Sequence, residues 1–156
     1  GSEMCIRDSS YIIIENEELR HRFQTYMEAS EFCEGHLFAY LSVAAAYSHG
    51  TEWLEQVIAY IQGNIDYTET YLKERIPAIR MIRPQASYLI FLDCRELGLN
   101  QEELNRLFIE DAHLALNDGA TFGKEGEGFM RLNIACPRAT LECALKQLEQ
   151  AVISLK

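Results

Sequence analysis

Residues 51–76 are the feature that most constrains how this chain can fold, because they form a long run with helical periodicity. Apolar side chains recur at steps of three and four residues, which places them on one face of an α-helix. At about 1.5 Å per residue this helix is about 40 Å long, more than one small domain needs. Pro77 ends it, because proline cannot donate the next helical hydrogen bond. The pattern therefore predicts a helix that joins two domains. Its apolar stripe consists of Leu54, Val57, Ile58, Ile61, Ile65, Thr68 and Leu72.

Shorter helical patterns precede this long helix. Asn16 is a predicted N-cap, and it is followed by an acidic first turn that suits the positive end of a helix dipole. Residues 37–47 are alanine-rich and apolar on most sides, which predicts a buried helix. Gly50 is the predicted C′ residue that ends it. The short apolar run at residues 11–14 predicts a strand, or a buried segment that leads into the first helix.

The pattern changes after Pro77 to short β-rich runs that alternate with helices. Asn100 and Glu103 have the spacing of a capping box, and Pro137 suits the first turn of a last helix. Asn117-Asp118-Gly119 predicts a turn. This half of the chain is therefore predicted to be an α+β layer, with a few strands and helices on one face. The predicted strands are residues 79–82, 88–92, 114–116 and 129–135.

The composition excludes several classes of partner. The 156 residues carry a formal net charge of -10, and such a surface repels phosphate backbones, which argues against nucleic acid. Hydrophobic residues make up 48% and charged residues 24% of the chain, which is the balance of a soluble globular protein. No apolar run approaches the roughly 20 residues of a membrane span. We therefore expect neither a nucleic-acid partner nor a membrane segment.

The cysteines and histidines show no spacing typical of a metal site. There is no Cys-x-x-Cys pair, so the sequence predicts neither a zinc site nor a disulfide scaffold. The favoured interpretation is reduced, partly buried thiols in a cytoplasmic protein, with histidines at the surface or at helix caps. The residues concerned are Cys5, Cys33, Cys94, Cys136, Cys143, His21, His36, His49 and His113.

The predicted strand at residues 129–135 presents an arginine and an amide on one face. Side chains alternate across a strand, so Met130, Leu132 and Ile134 share the core face. Arg131 and Asn133 then share the opposite face. A guanidinium is a planar fork that matches a carboxylate at two points. The alternatives are a ligand carboxylate and an ordinary salt bridge to a carboxylate of the protein, and the spacing leaves both open.

Two other segments carry weaker signals. Residues 120–128 are glycine-rich, but phosphate-binding loops run from a strand into a helix, whereas this loop runs into a strand and carries glutamates. The favoured interpretation is a mobile flap that borders a cleft. Asp93-Cys94-Arg95 follows a predicted strand and is interpreted as a solvated turn.

The first nine residues share no pattern with the rest of the chain. Residues 1–9 have no apolar periodicity and no cap signal, and they resemble the translation of a transposase-based sequencing adapter in one frame. We therefore treat them as an artefact and exclude them from the fold prediction. The alternative is a disordered natural N-terminus. On the artefact interpretation, the natural protein is expected to continue upstream of Ser10.

Several blocks of sequence carry a resemblance to known proteins. The blocks are residues 47–54 (YSHGTEWL), Gly63-Asn64, residues 84–95 (PQASYLIFLDCR), residues 115–119 (ALNDG), Phe122-Gly123 and residues 129–138 (FMRLNIACPR). Together they resemble class I/II aminotransferases, and more specifically their cystathionine β-lyase-like branch of the maltose-regulon-modulator type. The resemblance extends from Ser10 to the end of the chain, and its last block is the most specific.

This resemblance implies an α/β enzyme of fold type I that uses pyridoxal 5′-phosphate (PLP). Residues 10–65 would be the end of the large PLP-binding domain, and residues 66–156 a small domain with an antiparallel-rich sheet. The long helix would run between the two. Arg131 lies where the family places the arginine that binds the α-carboxylate of the substrate, whereas no catalytic role is implied for Asn133 and Arg138. A whole enzyme of this kind is expected to be a cytoplasmic homodimer.

The implied reaction is a β-elimination on cystathionine or another cysteine conjugate, which gives a thiol, pyruvate and ammonia. PLP acts as the electron sink, and the lysine that carries it is the usual proton carrier. That lysine is expected upstream of Ser10, so no catalytic residue is predicted in this chain. The chain alone should neither hold PLP stably nor catalyse. The lysines that match no cofactor motif are Lys73, Lys124, Lys146 and Lys156.

Two alternatives remain beside a lyase fragment. A true aminotransferase would share the carboxylate-binding arginine, so Arg131 does not separate the two. A standalone α+β interaction module would be a cooperative monomer with no exposed apolar patch. A fragment should expose apolar surface instead, because the helices at residues 37–47 and 51–76 have lost their partner sheet.

Overall fold

A computed structural model describes residues 12–31 and 37–155, which contain five α-helices and four β-strands. Residues 1–9, which we interpret as adapter sequence, lie outside the described residues. The helices are α1 (Glu17–Ala29), α2 (Leu37–His49), α3 (Thr51–Arg75), α4 (Gln101–Arg106) and α5 (Arg138–Ser154). The strands are β1 (Arg80–Ile82), β2 (Leu89–Asp93), β3 (Asn117–Asp118) and β4 (Phe129–Asn133).

The chain divides into two compact units, and α3 contributes residues to both. The units are Gly1–Gln56 and Val57–Lys156. The sequence places a domain boundary further along the same helix, between residues 65 and 66. That boundary between the domains of a whole enzyme stays a prediction.

None of the described residues of the first unit is buried. Asn16 caps α1 as predicted, since its side-chain oxygen accepts a hydrogen bond from the Leu19 backbone N–H at 2.8 Å. Residues 12–14 form neither a strand nor a buried segment, so that prediction is wrong. The helix α2 is exposed, with Tyr47 at 79%, which differs from the buried helix that its apolar pattern predicts and agrees with the exposure expected of a fragment. The physical reason is that the described residues of this unit supply no second apolar layer to cover these side chains.

The second unit is built on a four-stranded antiparallel sheet in the order β1-β2-β4-β3. Leu92 pairs with Met130, and both side chains are fully buried with Ile90 on the same face. This bears out the predicted inward face of β4. The core that packs against this face includes Leu72 of α3, Leu104 of α4 and three leucines of α5, which are Leu141, Leu145 and Leu148.

The ends of the helices in this unit follow the predicted signals. Asn100 and Glu103 form the capping box of α4, which continues into a π-helical turn at Leu107–Asp111. Pro137 occupies the N-cap of α5, directly before its first residue. The long helix α3 ends at Arg75, two residues before Pro77, because proline cannot donate the next helical hydrogen bond.

The position of β3 differs from the prediction. Residues 114–116 were expected to form a strand and Asn117-Asp118 a turn, but Asn117 and Asp118 themselves pair with Arg131 and Met130. The preceding backbone is hydrogen-bonded to the π-helical turn instead, since the Leu114 N–H donates to the Phe108 carbonyl at 2.7 Å. A strand forms where backbone N–H and C=O groups find hydrogen-bond partners on a neighbouring strand. In this segment β4 pairs only with Asn117 and Asp118.

Candidate functional site

The outer face of the sheet brings together three residues in one row. Phe91 of β2 and Asn117 of β3 are the register partners of Arg131 on either side of β4. Directly paired residues of an antiparallel sheet point to the same face. Arg131 therefore lies between an aromatic ring and an amide, on the face opposite the core, as the alternation of β4 predicted.

Two contacts orient the guanidinium of Arg131. Its Nη2 donates a hydrogen bond to Asn117 Oδ1 at 3.0 Å. Its Cζ lies 4.3 Å from the ring centre of Phe122, and that ring meets Phe91 edge to face, with centroids 5.9 Å apart at 81°. A guanidinium is attracted to an aromatic face and stacks on it. The hydrogen bond restrains one edge of the guanidinium and the ring restrains its plane, so together these contacts fix the orientation of the group.

The segment that carries Phe122 is held by the carboxylate of Asp118. Its Oδ1 accepts from the Ala120 N–H at 2.8 Å and from Gln101 Nε2 at 2.7 Å, and its Oδ2 accepts from Asn105 Nδ2 at 2.7 Å. The Asp118 side chain thereby caps the 3-10 turn Gly119–Phe122 and joins it to α4.

Glycines close the rest of this loop, which forms two 3-10 turns, Gly119–Phe122 and Lys124–Gly126. A Cβ added at Gly119 would collide with the carbonyl oxygens of Gly126 and Phe129, so the two arms of the loop pack backbone against backbone. Gly128 N–H also donates to Gln101 Oε1 at 2.7 Å. These contacts do not agree with a mobile flap, because both ends of the loop are tied to α4.

A second arginine, Arg95 in the 3-10 turn that follows β2, has a different environment. Arg95 Nε and Nη2 donate to the two oxygens of Asp93 at 2.9 and 2.8 Å, and Arg95 Cζ lies 4.9 Å from the Phe129 ring centre. Asp93 is only 5% exposed, and Cys94 is buried, so the predicted solvated turn is wrong. Hydrogen bonds from Arg95 lower the pKa of Asp93 to about 2. This arginine is neutralised by its carboxylate and serves the structure.

The other residues of the last block have structural contacts. Asn133 is exposed, and its side-chain oxygen accepts from the Ala135 N–H at 2.9 Å. Arg138 Nε donates to Asn64 Oδ1 at 2.9 Å, and its Cζ lies 4.5 Å from the ring centre of Tyr67. These contacts attach the start of α5 to α3, and they place neither residue beside Arg131 in the row of the sheet.

No lysine within the described ranges is buried. Lys73 pairs with Glu69 at 2.9 Å on the surface of α3, and Lys124 and Lys146 are exposed. Lys156 and His36 lie outside the described residues. Across residues 12–31 and 37–155, no group of His, Cys, Asp or Glu side chains converges as a metal site. In the same ranges no helix is long and apolar enough to cross a membrane.

Sequence reasoning predicted the outer-face position of Arg131 but missed the residues that surround it. Asn117 was assigned to a turn, and Phe122 and Phe91 had no role. The pairing of β2 and β3 with β4 was needed to place them, since residues far apart in sequence meet only through strand register. One local signal was available for Asp118, because aspartate commonly caps the turn that follows it.

Comparison with known proteins adds the family. No family model matches the chain. Cystathionine beta-lyase PatB of Bacillus subtilis is 36% identical over 144 residues, which is 92% of this chain and 37% of that protein. Protein MalY of Escherichia coli is 31% identical over 148 residues, 94% of this chain and 38% of that protein. The chain thus spans little more than a third of the length of these curated relatives.

A solved structure agrees with these sequence relatives. Cystalysin from Treponema denticola, whose crystal structure contains a pyridoxal 5′-phosphate cofactor, superposes with a TM-score of 0.89 at 26% identity. The match covers 92% of this chain and 36% of cystalysin. Shared sequence and shared fold lead to the same assignment, which is also the one that the sequence blocks predict. This chain belongs to the cystathionine β-lyase-like family of PLP-dependent enzymes with the aminotransferase fold.

Proposed function

We propose that this chain is part of a PLP-dependent carbon–sulfur β-lyase and supplies the group that binds the α-carboxylate of its substrate. Arg131 is that group. The observation that carries the proposal is the guanidinium on the outer face of β4, held by Asn117 and stacked on Phe122. The substrate class is cystathionine or another cysteine conjugate, in line with the names of the relatives.

The described residues do not fit the other half of such a site. A PLP-binding lysine must lie within the cofactor pocket, whereas Lys73 is paired with Glu69 on a helix surface and Lys124 and Lys146 face solvent. None of the described lysines fits this role and Lys156 matches no cofactor motif, so we propose that the cofactor-bearing lysine belongs to another part of the whole enzyme. On this proposal the 156-residue chain alone is inactive, and the whole enzyme is a cytoplasmic homodimer.

The role of Arg131 is binding and orientation. Two parallel N–H···O hydrogen bonds from the guanidinium to a carboxylate fix both the position and the plane of the substrate. In the whole enzyme, bound PLP would supply the electron sink for a β-elimination that breaks the Cβ–S bond and releases the thiol, and hydrolysis of the released enamine by water would give pyruvate and ammonia. Arg131 contributes by holding the amino acid in one orientation while that chemistry occurs, which lowers the entropic part of the barrier.

Substitution of Arg131 in the full-length protein tests this role. We expect Arg131→Gln to raise KM for cystathionine by about ten- to a hundred-fold, because a charge-assisted pair is lost. PLP absorbance should be unchanged. Arg106→Gln, at the exposed end of α4, is the matched control and should leave KM unchanged. An Arg131→Gln enzyme with wild-type KM would refute the carboxylate role.

Product analysis separates the lyase from the aminotransferase that would share Arg131. The full-length protein is incubated with cystathionine alone and then with an amino acid and a keto acid. Pyruvate and ammonia from cystathionine support the lyase. Stable transfer of the amino group to the keto acid, without release of pyruvate from cystathionine, supports the aminotransferase.

A further inference from the structure

We infer that Asp118 and Phe122 are positioning residues for Arg131, and that they set the affinity of the site for carboxylates before substrate arrives. This inference rests on the proposed function, in which Arg131 binds the α-carboxylate. Neither residue has to contact the substrate in order to change the affinity of Arg131 for a carboxylate. Phe122 acts on the guanidinium, and Asp118 acts on Phe122.

Phe122 restricts one face of the guanidinium. Its ring centre is 4.3 Å from Arg131 Cζ, and the edge-to-face contact with Phe91 fixes the tilt of the ring. A side chain with several rotatable bonds loses less entropy on binding when its terminal plane is already oriented. The ring also excludes water from that face, which strengthens the interaction of the guanidinium with an anion.

Phe122 is not held in place by the hydrophobic core, since 52% of its surface is exposed. Its position depends instead on the 3-10 turn that it ends, Gly119–Phe122. Asp118 fixes that turn through its own side chain, and Thr121 Oγ1 closes it by donating to the Asp118 carbonyl at 2.6 Å. Asp118 is both the last residue of β3 and the N-cap of the turn, so the ring is attached to the strand whose Asn117 pairs with Arg131.

Gln101 of α4 holds both ends of the loop between β3 and β4. Its Nε2 donates to Asp118 Oδ1, while its Oε1 accepts from the Gly128 N–H, both at 2.7 Å. Gly128 directly precedes β4, the strand of Arg131. One glutamine of α4 therefore joins the turn that carries Phe122 to the strand that carries Arg131, and this connects Asp118 to the orientation of the guanidinium.

Kinetics of the full-length enzyme test the inference. We expect Phe122→Leu and Asp118→Asn each to raise KM for cystathionine about three- to ten-fold, the scale of a lost cation–π contact, with kcat within about two-fold of wild type. Phe122→Tyr keeps the ring face and should retain the wild-type KM. Phe129→Leu removes an equivalent ring from Arg95 instead and should leave KM unchanged, although it perturbs the same strand.

Double variants distinguish positioning from a merely structural role. If Phe122 acts through Arg131, Phe122→Leu should add no further rise in KM to an Arg131→Gln enzyme, because the coupled group is gone. A rise in KM that is the same in both backgrounds, or a Phe122→Tyr enzyme as weak as Phe122→Leu, would overturn the inference. An Arg131→Gln enzyme with normal KM would instead refute the proposed function itself.

Discussion

Arg95, in the 3-10 turn that follows β2, and Arg131, on β4, show how immediate neighbours give two arginines different environments. Each guanidinium lies over a phenylalanine ring. Arg95 also binds both oxygens of Asp93, whose burial requires a compensating charge. Arg131 donates to the neutral amide of Asn117. The first arrangement ties Arg95 to the end of β2, whereas the second fixes the plane of the Arg131 guanidinium on the outer face of the sheet.

The ionisation of the single residue Asp93 makes the free energy of unfolding depend on pH. Arg95 lowers its pKa from 3.8 to about 2 in the folded protein, so the folded state favours the ionised carboxylate. The resulting stabilisation, about 2 kcal/mol, is complete above about pH 4 and is lost as the pH falls toward 2. Asp93→Asn should therefore reduce the free energy of unfolding at pH 7 and flatten its dependence on pH between about 4 and 2, measured by urea denaturation.

A control separates this effect from general acid denaturation. Asp111→Asn changes an exposed aspartate near the end of the π-helical turn, and it should leave the pH profile of unfolding close to wild type. If both variants gave the same profile, the contribution assigned to the Asp93–Arg95 pair would be wrong.

At the scale of elements, the loop between β3 and β4 has its shape because glycine lets two backbone segments approach. At Gly119 a Cβ would meet two carbonyl oxygens, and no side-chain rotation can relieve a clash with backbone. The loop therefore acts as a rigid connection between α4 and the sheet. The sequence favoured a flap because this glycine-rich loop runs into a strand and carries glutamates, unlike a phosphate-binding loop, whereas the close packing of its glycines is visible only in three dimensions.

Two glycine substitutions test this interpretation. Gly119→Ala should destabilise the protein by about 3 kcal/mol, because the added methyl group must displace backbone. Gly98→Ala is the matched comparison, since Gly98 has φ of 71° and nothing within 4 Å of the added Cβ. It should cost only the left-handed backbone strain, about 1 kcal/mol. Chemical denaturation measures both, and equal losses would mean that close packing at Gly119 is not important.

At the scale of the whole chain, the two compact units differ in how much of their apolar surface they bury. All buried residues among those described lie between Asn64 and Ala151. In the first unit Tyr47 is 79% exposed and Trp53 68% exposed. Exposed aromatic and aliphatic side chains on this scale indicate surface that another part of a larger protein normally covers. The exposure agrees with what a fragment was expected to show and not with a self-contained module.

This difference predicts how the isolated chain behaves. The 156-residue protein should bind a dye that reports exposed apolar surface, and proteases should remove the first unit before they cut the second. Residues 57–156 alone should bind much less dye and still unfold cooperatively, because the described core lies within them. Strong dye binding by residues 57–156, or a sharp single transition of the whole chain without dye binding, would contradict this division.

The sequence by itself determined the helices, the polarity of β4 and the family. Periodicity, caps and prolines act between residues close in the chain, so they located α3, the Asn100 cap and the inward face of Met130. The blocks around Arg131 indicated a carboxylate-binding role, which stays a prediction. Only the tertiary structure decided that Asn117 and Asp118 form a strand and that Phe122 stacks on Arg131. These outcomes depend on strand register and on which surfaces meet, and no local pattern specifies either.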